Sequence, residues 1–168
     1  MKRLSAPFLS VSLSILIVLF FFSPVAAIEA GAPAPDFELK TLEGKKVRLS
    51  DYKGQIILLK LATTWCPTCR QQTEEIKEAG KFLAAKNVIV VDVFLQDSEK
   101  MVREYLEGED LQVPFVALLD DGSAHKAYNV YLIPRVLLID GNFNVRRDGS
   151  LLPARELIKQ VQKITGES

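Results

Sequence analysis

Histidine occurs once in this 168-residue chain, at His125, and cysteine only twice, at Cys66 and Cys69. That scarcity excludes a structural zinc site of ordinary composition, which takes about four nitrogen or sulfur ligands. It also excludes a disulfide framework, because two cysteines three positions apart cannot staple distant parts of a fold. An excess of charge of one sign is missing too. The chain has 21 basic and 21 acidic residues, and no basic cluster offers a nucleic-acid footprint. Neither an internal repeat nor a low-complexity tract is present.

What the chain does have begins with an apolar run. Lys2 and Arg3 precede "FLSVSLSILIVLFFF", which carries no charge, and "SPVAA" closes the run with Val25 and Ala27 in an A-x-A-like arrangement. This is the layout of a secretory signal peptide cleaved after Ala27. The stretch Leu4 to Phe22 is 19 residues long, which also suits an uncleaved membrane anchor. Both readings export the remainder, to the periplasm or another extracytoplasmic space. Residues 1–27 are therefore set apart from a single domain over 28–168. No cysteine lies near the cleavage site, which excludes a lipid anchor on cysteine. Of the 21 basic residues only Lys2 and Arg3 precede Glu29, leaving 19 against 21 acidic ones. About 140 residues suffice for a hydrophobic core without covalent staples.

After a Pro/Ala-rich lead-in, "FELK" and "KKVRLS" flank "TLEG" and predict a hairpin turning at Gly44. "QIILLKLA" is a nearly continuous apolar run, the pattern of a central strand buried on both faces. From Thr68 to about Lys86, Ile76, Ala79, Gly80 and Leu83 recur at helical spacing. "NVIVVDVFL" and "VPFVALLD" predict further strands, and Ser98 caps a helix carrying Met101, Val102, Tyr105 and Leu106. "AHKAYNV" reads as a connector, and "RVLLID" with "FNVRR" as a hairpin around Gly141-Asn142. A last helix starts near Pro153 with Leu157, Ile158, Val161 and Ile164 facing inward. The order predicts an α/β fold, a mixed sheet flanked by helices with an N-terminal hairpin.

Cys66 and Cys69 fall at the junction of the central strand and the first long helix. Unpaired N–H groups and the partial positive charge of a helix N-terminus favour a thiolate there. Pro67 suits the first helical turn, whose N–H has no intrahelical partner in any case. Cys69 lies one turn on, facing Cys66. The pair reads as a redox dithiol, Cys66 attacking and Cys69 resolving, with no metal and no cofactor.

"WCPTC" between a buried strand and a helix resembles the active site of the thioredoxin superfamily. The longer match of "APDFELKTLEGKKVRLSDYKGQIILLKLATTWCPTCR" and "YNVYLIPRVLLIDGNFNV" resembles the exported TlpA/ResA-like thiol–disulfide oxidoreductases, with their redoxin (AhpC/TSA-like) domain. The resemblance implies a thioredoxin-like fold and a protein disulfide oxidoreductase, acting mainly as a reductase. It implies Trp65, Pro67 and Thr68 as support for the dithiol. It implies a cis Pro134 facing the dithiol, leaving the Ile133 backbone open to a bound peptide; a trans proline at a strand start is the alternative. It also implies a membrane-embedded electron donor, apocytochrome c as a typical substrate, and a monomer.

Three positions depart from the family pattern. Lys60 stands six residues before Cys66, where thioredoxins commonly carry a buried acid. Either it snorkels to the surface, or it reaches under the dithiol and favours the thiolate or shuttles its proton. Gln72 and Glu74 replace a usual Glu and Pro, so the helix lacks a proline kink. Arg135 follows Pro134 in place of a small hydroxyl residue; with Arg70 it either biases the site toward acidic partner segments or reads as an ordinary exposed charge.

Competing readings each lack a part. A DsbA-like oxidase needs a helical insert, for which Asn87 to Pro134 leaves room for one helix only. A peroxiredoxin needs a proline where Leu59 stands, although Thr63 holds the hydroxyl place. A copper-handling thiol protein needs a histidine near the cysteines, and His125 is the only candidate.

Overall fold

Ile56–Ala62, every residue buried, forms the middle of a seven-stranded mixed sheet. The structure is a computed structural model that describes residues 28–167; the predicted leader, 1–27, lies outside the described residues. The strands are β1 (Glu38–Thr41), β2 (Lys46–Arg48), β3 (Ile56–Ala62), β4 (Val88–Phe94), β5 (Phe115–Leu119), β6 (Arg135–Ile139) and β7 (Val145–Gly149). The helices are α1 (Pro67–Ala85), α2 (Glu99–Leu106), α3 (Ser123–Ala127) and α4 (Ala154–Thr165). Across the sheet the order is β2-β1-β5-β4-β3-β6-β7. β3, β4 and β5 run parallel, and the β1–β2, β1–β5, β3–β6 and β6–β7 pairs are antiparallel.

Strand alternation sorts the core into two layers. Ile57, Leu59 and Leu61 face one side with Leu39, Leu49, Val91, Tyr128 and Leu137. Ile56 and Leu58 face the other, against Ile76 and Leu83 of α1 and Leu157 and Val161 of α4. Both faces are covered, which is why β3 and β4 read as apolar runs rather than as alternating strands. Lys60 shares the parity of Ile56 and Leu58, so its side chain starts on the face that α1 covers.

α1 comes so close to the following chain that only glycine fits at Gly80. A Cβ there would stand 2.1 Å from the Leu111 carbonyl oxygen. Gly80→Ala is expected to cost about 1–3 kcal/mol through overpacking. A urea titration should show a lower midpoint with an unchanged slope.

Two local expectations need correction. "AHKAYNV" is not all connector, because Asp121 and Asp120 accept the Ser123 and Ala124 N–H groups and start the short α3. Met101 is exposed, so the buried stripe of α2 is Val102 with Tyr105 and Leu106 against Phe94. The Pro/Ala-rich lead-in is fixed along the β7 side: Gly31 N–H donates to Val145 O at 2.7 Å, and Val145 N–H to Ala32 O at 2.8 Å. Among the described residues no helix is long and apolar enough to cross a membrane.

Candidate active site

β3 ends at Ala62, and the chain reaches α1 through Thr63, Thr64 and Trp65. Asp97 shapes this bend. Its carboxylate accepts from the Thr64 N–H and from the Thr64 hydroxyl, both at 2.9 Å. From the other side the Arg70 Nε–H donates to Thr64 O at 2.9 Å. The loop before the dithiol is thus held by side chains from both of its neighbours.

Cys66 is the N-cap of α1 and Pro67 follows as its first residue. The Cys66 sulfur accepts the Cys69 N–H at 3.3 Å and lies 3.2 Å from the Thr68 hydroxyl oxygen. Burial works to raise the Cys66 pKa, but the hydrogen bonds of Cys69 and Thr68 outweigh it and hold the thiol below its usual value. Cys69 is more deeply placed, at 1 % exposure. Burial, with the hydrogen bond to Cys66, pushes its thiol up to about 12. Both cysteines are unbridged, and the two sulfurs therefore ionise far apart.

This separation has a measurable consequence. Alkylation of the reduced protein should follow a single ionisation below the ordinary thiol value, with one equivalent incorporated at neutral pH. Thr68→Ala removes one hydrogen bond to the thiolate and should move that ionisation upward. Mass spectrometry of protein quenched across a pH series measures both.

Ile133 packs against Ala62, Cys66 and Cys69. The Ile133–Pro134 peptide bond is cis, and Pro134 is buried at the start of β6. Around this centre Trp65, Tyr131 and Leu132 are 60 %, 70 % and 83 % exposed. Large apolar side chains therefore stand in solvent beside the dithiol, on the two segments that carry Cys66 and Ile133.

Lys60 does not snorkel. It is 1 % exposed, and its Nζ donates to Asp92 Oδ2 and to Thr73 Oγ1, each at 2.8 Å. Lys60 and Asp92 are direct neighbours in the parallel β3–β4 register, so one face of the sheet brings them together beneath α1. The Thr73 hydroxyl oxygen also lies 2.7 Å from the Tyr105 hydroxyl and 3.3 Å from Cys69 O. Burial works against the Lys60 ammonium, yet the Asp92 carboxylate outweighs it and holds the amine above its usual value. Burial pushes the Asp92 carboxyl the other way, up, against the pull of Lys60. We take the charged, hydrogen-bonded pair as the governing state, since loss of either charge would strand the other. Lys60 and Cys69 sense each other's charge.

Sequence reasoning missed Asp92, Thr73, Tyr105 and Asp97. The signal for Asp92 was present, as one ionisable residue inside each of two neighbouring apolar runs, at Lys60 and in "VIVVDVF". Arg135 is not an exposed charge. Its side chain is 12 % exposed, its Nε–H donates to Asp148 Oδ1 at 2.9 Å, and its Nη1 donates to the carbonyls of Tyr128 and Asn129. Gln72 is fully buried and spans to the connection before α4, accepting the Leu152 N–H at 2.6 Å and donating to Leu152 O at 3.1 Å. With no proline at position 74, α1 continues unbroken for 19 residues. His125 is exposed on α3. Among the described residues no group of three or more His, Cys, Asp or Glu could hold a metal ion.

The AhpC/TSA family matches residues 30–148. The thioredoxin-like protein YneN of Bacillus subtilis is 38 % identical over 115 residues, covering 67 % of this chain and 66 % of its own. The thiol-disulfide oxidoreductase ResA of Bacillus cereus is 31 % identical over 147 residues, 88 % of this chain and 76 % of ResA. Among solved structures, a Chlorobium tepidum protein assigned as thiol:disulfide interchange protein DsbE superposes with a TM-score of 0.72 at 28 % identity. The match covers 82 % of this chain and 99 % of that one.

Proposed function

The chain belongs to the AhpC/TSA family and is a thiol–disulfide oxidoreductase of the ResA/DsbE type, and from that premise we propose that it works outside the cytoplasm as a reductase of protein disulfides. The observation that carries the direction is the set of partners around the Cys66 sulfur. They are a backbone N–H and a hydroxyl, and neither is a cation. A strongly stabilised thiolate makes an oxidant and a weakly stabilised one a reductant.

The cycle follows from the two separated ionisations. The Cys66 thiolate attacks one sulfur of a substrate disulfide and expels the other as a thiolate, forming a mixed disulfide. Cys69 then loses its proton and attacks the Cys66 sulfur, expelling the second substrate thiolate. Two electrons pass to the substrate, and the Cys66–Cys69 disulfide is left for an electron donor to reduce. The proton that Cys69 gives up is the difficult one, because its thiol is held up at about 12. Lys60, fixed by Asp92, lies under Cys69 as the cation that favours the new thiolate. Ile133, next to the cis Pro134, offers its backbone to the substrate peptide, with Trp65, Pro67 and Thr68 shaping the entrance.

The residues 1–27 serve as a signal peptide or as an anchor, and both export the domain to the compartment where a membrane-embedded donor can reduce it. Apocytochrome c before haem attachment is the substrate that fits the family best, and the enzyme acts as a monomer. The exposed Trp65, Tyr131 and Leu132 suit an extended, unfolded polypeptide with apolar residues near its cysteines. Leu132→Asp is expected to raise KM for such a peptide several-fold while leaving the alkylation rate of Cys66 unchanged. An unchanged KM, or a higher KM accompanied by slower alkylation of Cys66, would remove the docking role.

Equilibration with glutathione tests the direction. The potential should lie nearer the thioredoxin value of about −270 mV than the DsbA value of about −120 mV. A value at the DsbA end would make the protein an oxidase instead.

A further inference from the structure

Asp148 on β7 is a carboxylate with more partners than a strand residue needs. Its side chain is 2 % exposed and paired with Arg135, which reaches it through both Nε and Nη2. Its Oδ2 also accepts from the backbone nitrogen of Ile28 at 2.7 Å, across 120 residues of sequence. Ile28 is the residue that follows Ala27, the small residue after which the leader pattern predicts cleavage. The Ile28 side chain is partly buried against the core layer of Leu39 and Leu137. The chain behind it is pinned by Gly31 N–H to Val145 O and by Ala34 N–H to Phe143 O, at 2.7 and 2.9 Å.

We propose that the mature chain begins at Ile28 and that Asp148 is the binding site of its new α-ammonium group. The inference rests on the export reading above and adds to it a defined end and a defined receptor. Hydrolysis of the Ala27–Ile28 bond consumes one water, leaves a carboxylate on Ala27, and gives Ile28 a primary ammonium; a peptidase of the export machinery performs it. Before cleavage Ile28 offers Asp148 one neutral N–H. Afterwards it offers a full positive charge with three donors, and a charge-assisted hydrogen bond is the stronger kind. Arg135 already neutralises Asp148, and Arg147 senses the charges of both Asp148 and Glu156. The site is a shielded cluster rather than a lone exposed pair, which is where such contacts retain their strength.

The consequence reaches the active site. Arg135 directly follows the cis Pro134, and Ile133 packs against the cluster that contains both cysteines. Asp148 holds Arg135, and the Ile28 ammonium would share the Oδ2 oxygen with the Arg135 guanidinium. Maturation would therefore tighten the support of the segment that faces the dithiol. Asp148 and Ile28 are positioning residues here and touch no reacting atom.

The test starts from the full chain expressed in an exporting bacterium. Intact mass of the exported product should correspond to a start at Ile28. A reagent selective for α-amines should then label the folded protein at least tenfold more slowly than the same protein in urea. Asp148→Asn should lift that protection. If that variant fails to fold, a serine inserted between Ala27 and Ile28 moves the amine off Asp148 and should lift it equally. An exported product that starts elsewhere or keeps residues 1–27 overturns the inference while leaving export intact. So does a product starting at Ile28 whose amine labels equally fast folded and unfolded. Retention of the whole chain in the cytoplasm would instead remove the export reading itself.

Discussion

Cys66→Ser should abolish disulfide reduction, with a loss of roughly a thousandfold or more, as expected when the group that forms the covalent intermediate is removed. Cys69→Ser should behave differently. The Cys66 thiolate keeps the Thr68 hydroxyl and the N–H of residue 69 as partners, so attack continues and the mixed disulfide accumulates. The two variants thus separate attack from resolution, and the separation follows from where the sulfurs sit. Cys66 caps the helix with its thiol held below its usual value, while burial pushes Cys69 up to about 12. Non-reducing electrophoresis with a disulfide-bearing peptide measures both outcomes. Equal trapping by the two variants would reverse the assignment or make the thiols interchangeable.

The second large effect concerns the buried ion pair. Lys60→Met leaves the Asp92 carboxylate at 3 % exposure without its cation. Removing one partner of such a pair costs about 3–5 kcal/mol. Asp92→Asn should also destabilise, because the Lys60 ammonium would keep an amide oxygen, Thr73 and the rings of Phe94 and Tyr105 as neighbours but lose its countercharge. The double variant Lys60→Met/Asp92→Leu should regain most of the loss, since an apolar pair of similar volume replaces both charges. Denaturant melts of the three variants measure this cycle. The double variant also separates structure from function. If Lys60 assists Cys69, the protein folds stably but resolves the mixed disulfide slowly, and the pH dependence of resolution moves upward. Wild-type resolution in that stable double variant would leave the pair a purely structural one.

The elements were legible where a periodic signal met a terminator. β3 and β4 stood out as apolar runs too short for spanning helices, and α1 as a helical stripe over about Thr68 to Lys86. α3 was not legible, because its five residues are too few to show a period and its start depends on two aspartates outside it. Met101 and Val102 are adjacent apolar residues, and which of them turned inward depended on how α2 sits over Phe94.

By itself the sequence determined the chemistry. Two cysteines at CxxC spacing after a buried strand, with Pro67 between them and no set of metal ligands, leave disulfide exchange as the reading, since reactivity depends on local backbone at a helix start. The tertiary structure alone decided what surrounds that chemistry. Asp92 reaches Lys60 because β3 and β4 align in parallel register, 32 residues apart in the chain. Arg135 lost its apparent freedom because β7 brought Asp148 to it. Charge on a residue is written in its side chain, but whether it is solvated or paired depends on which distant strand lies next to it.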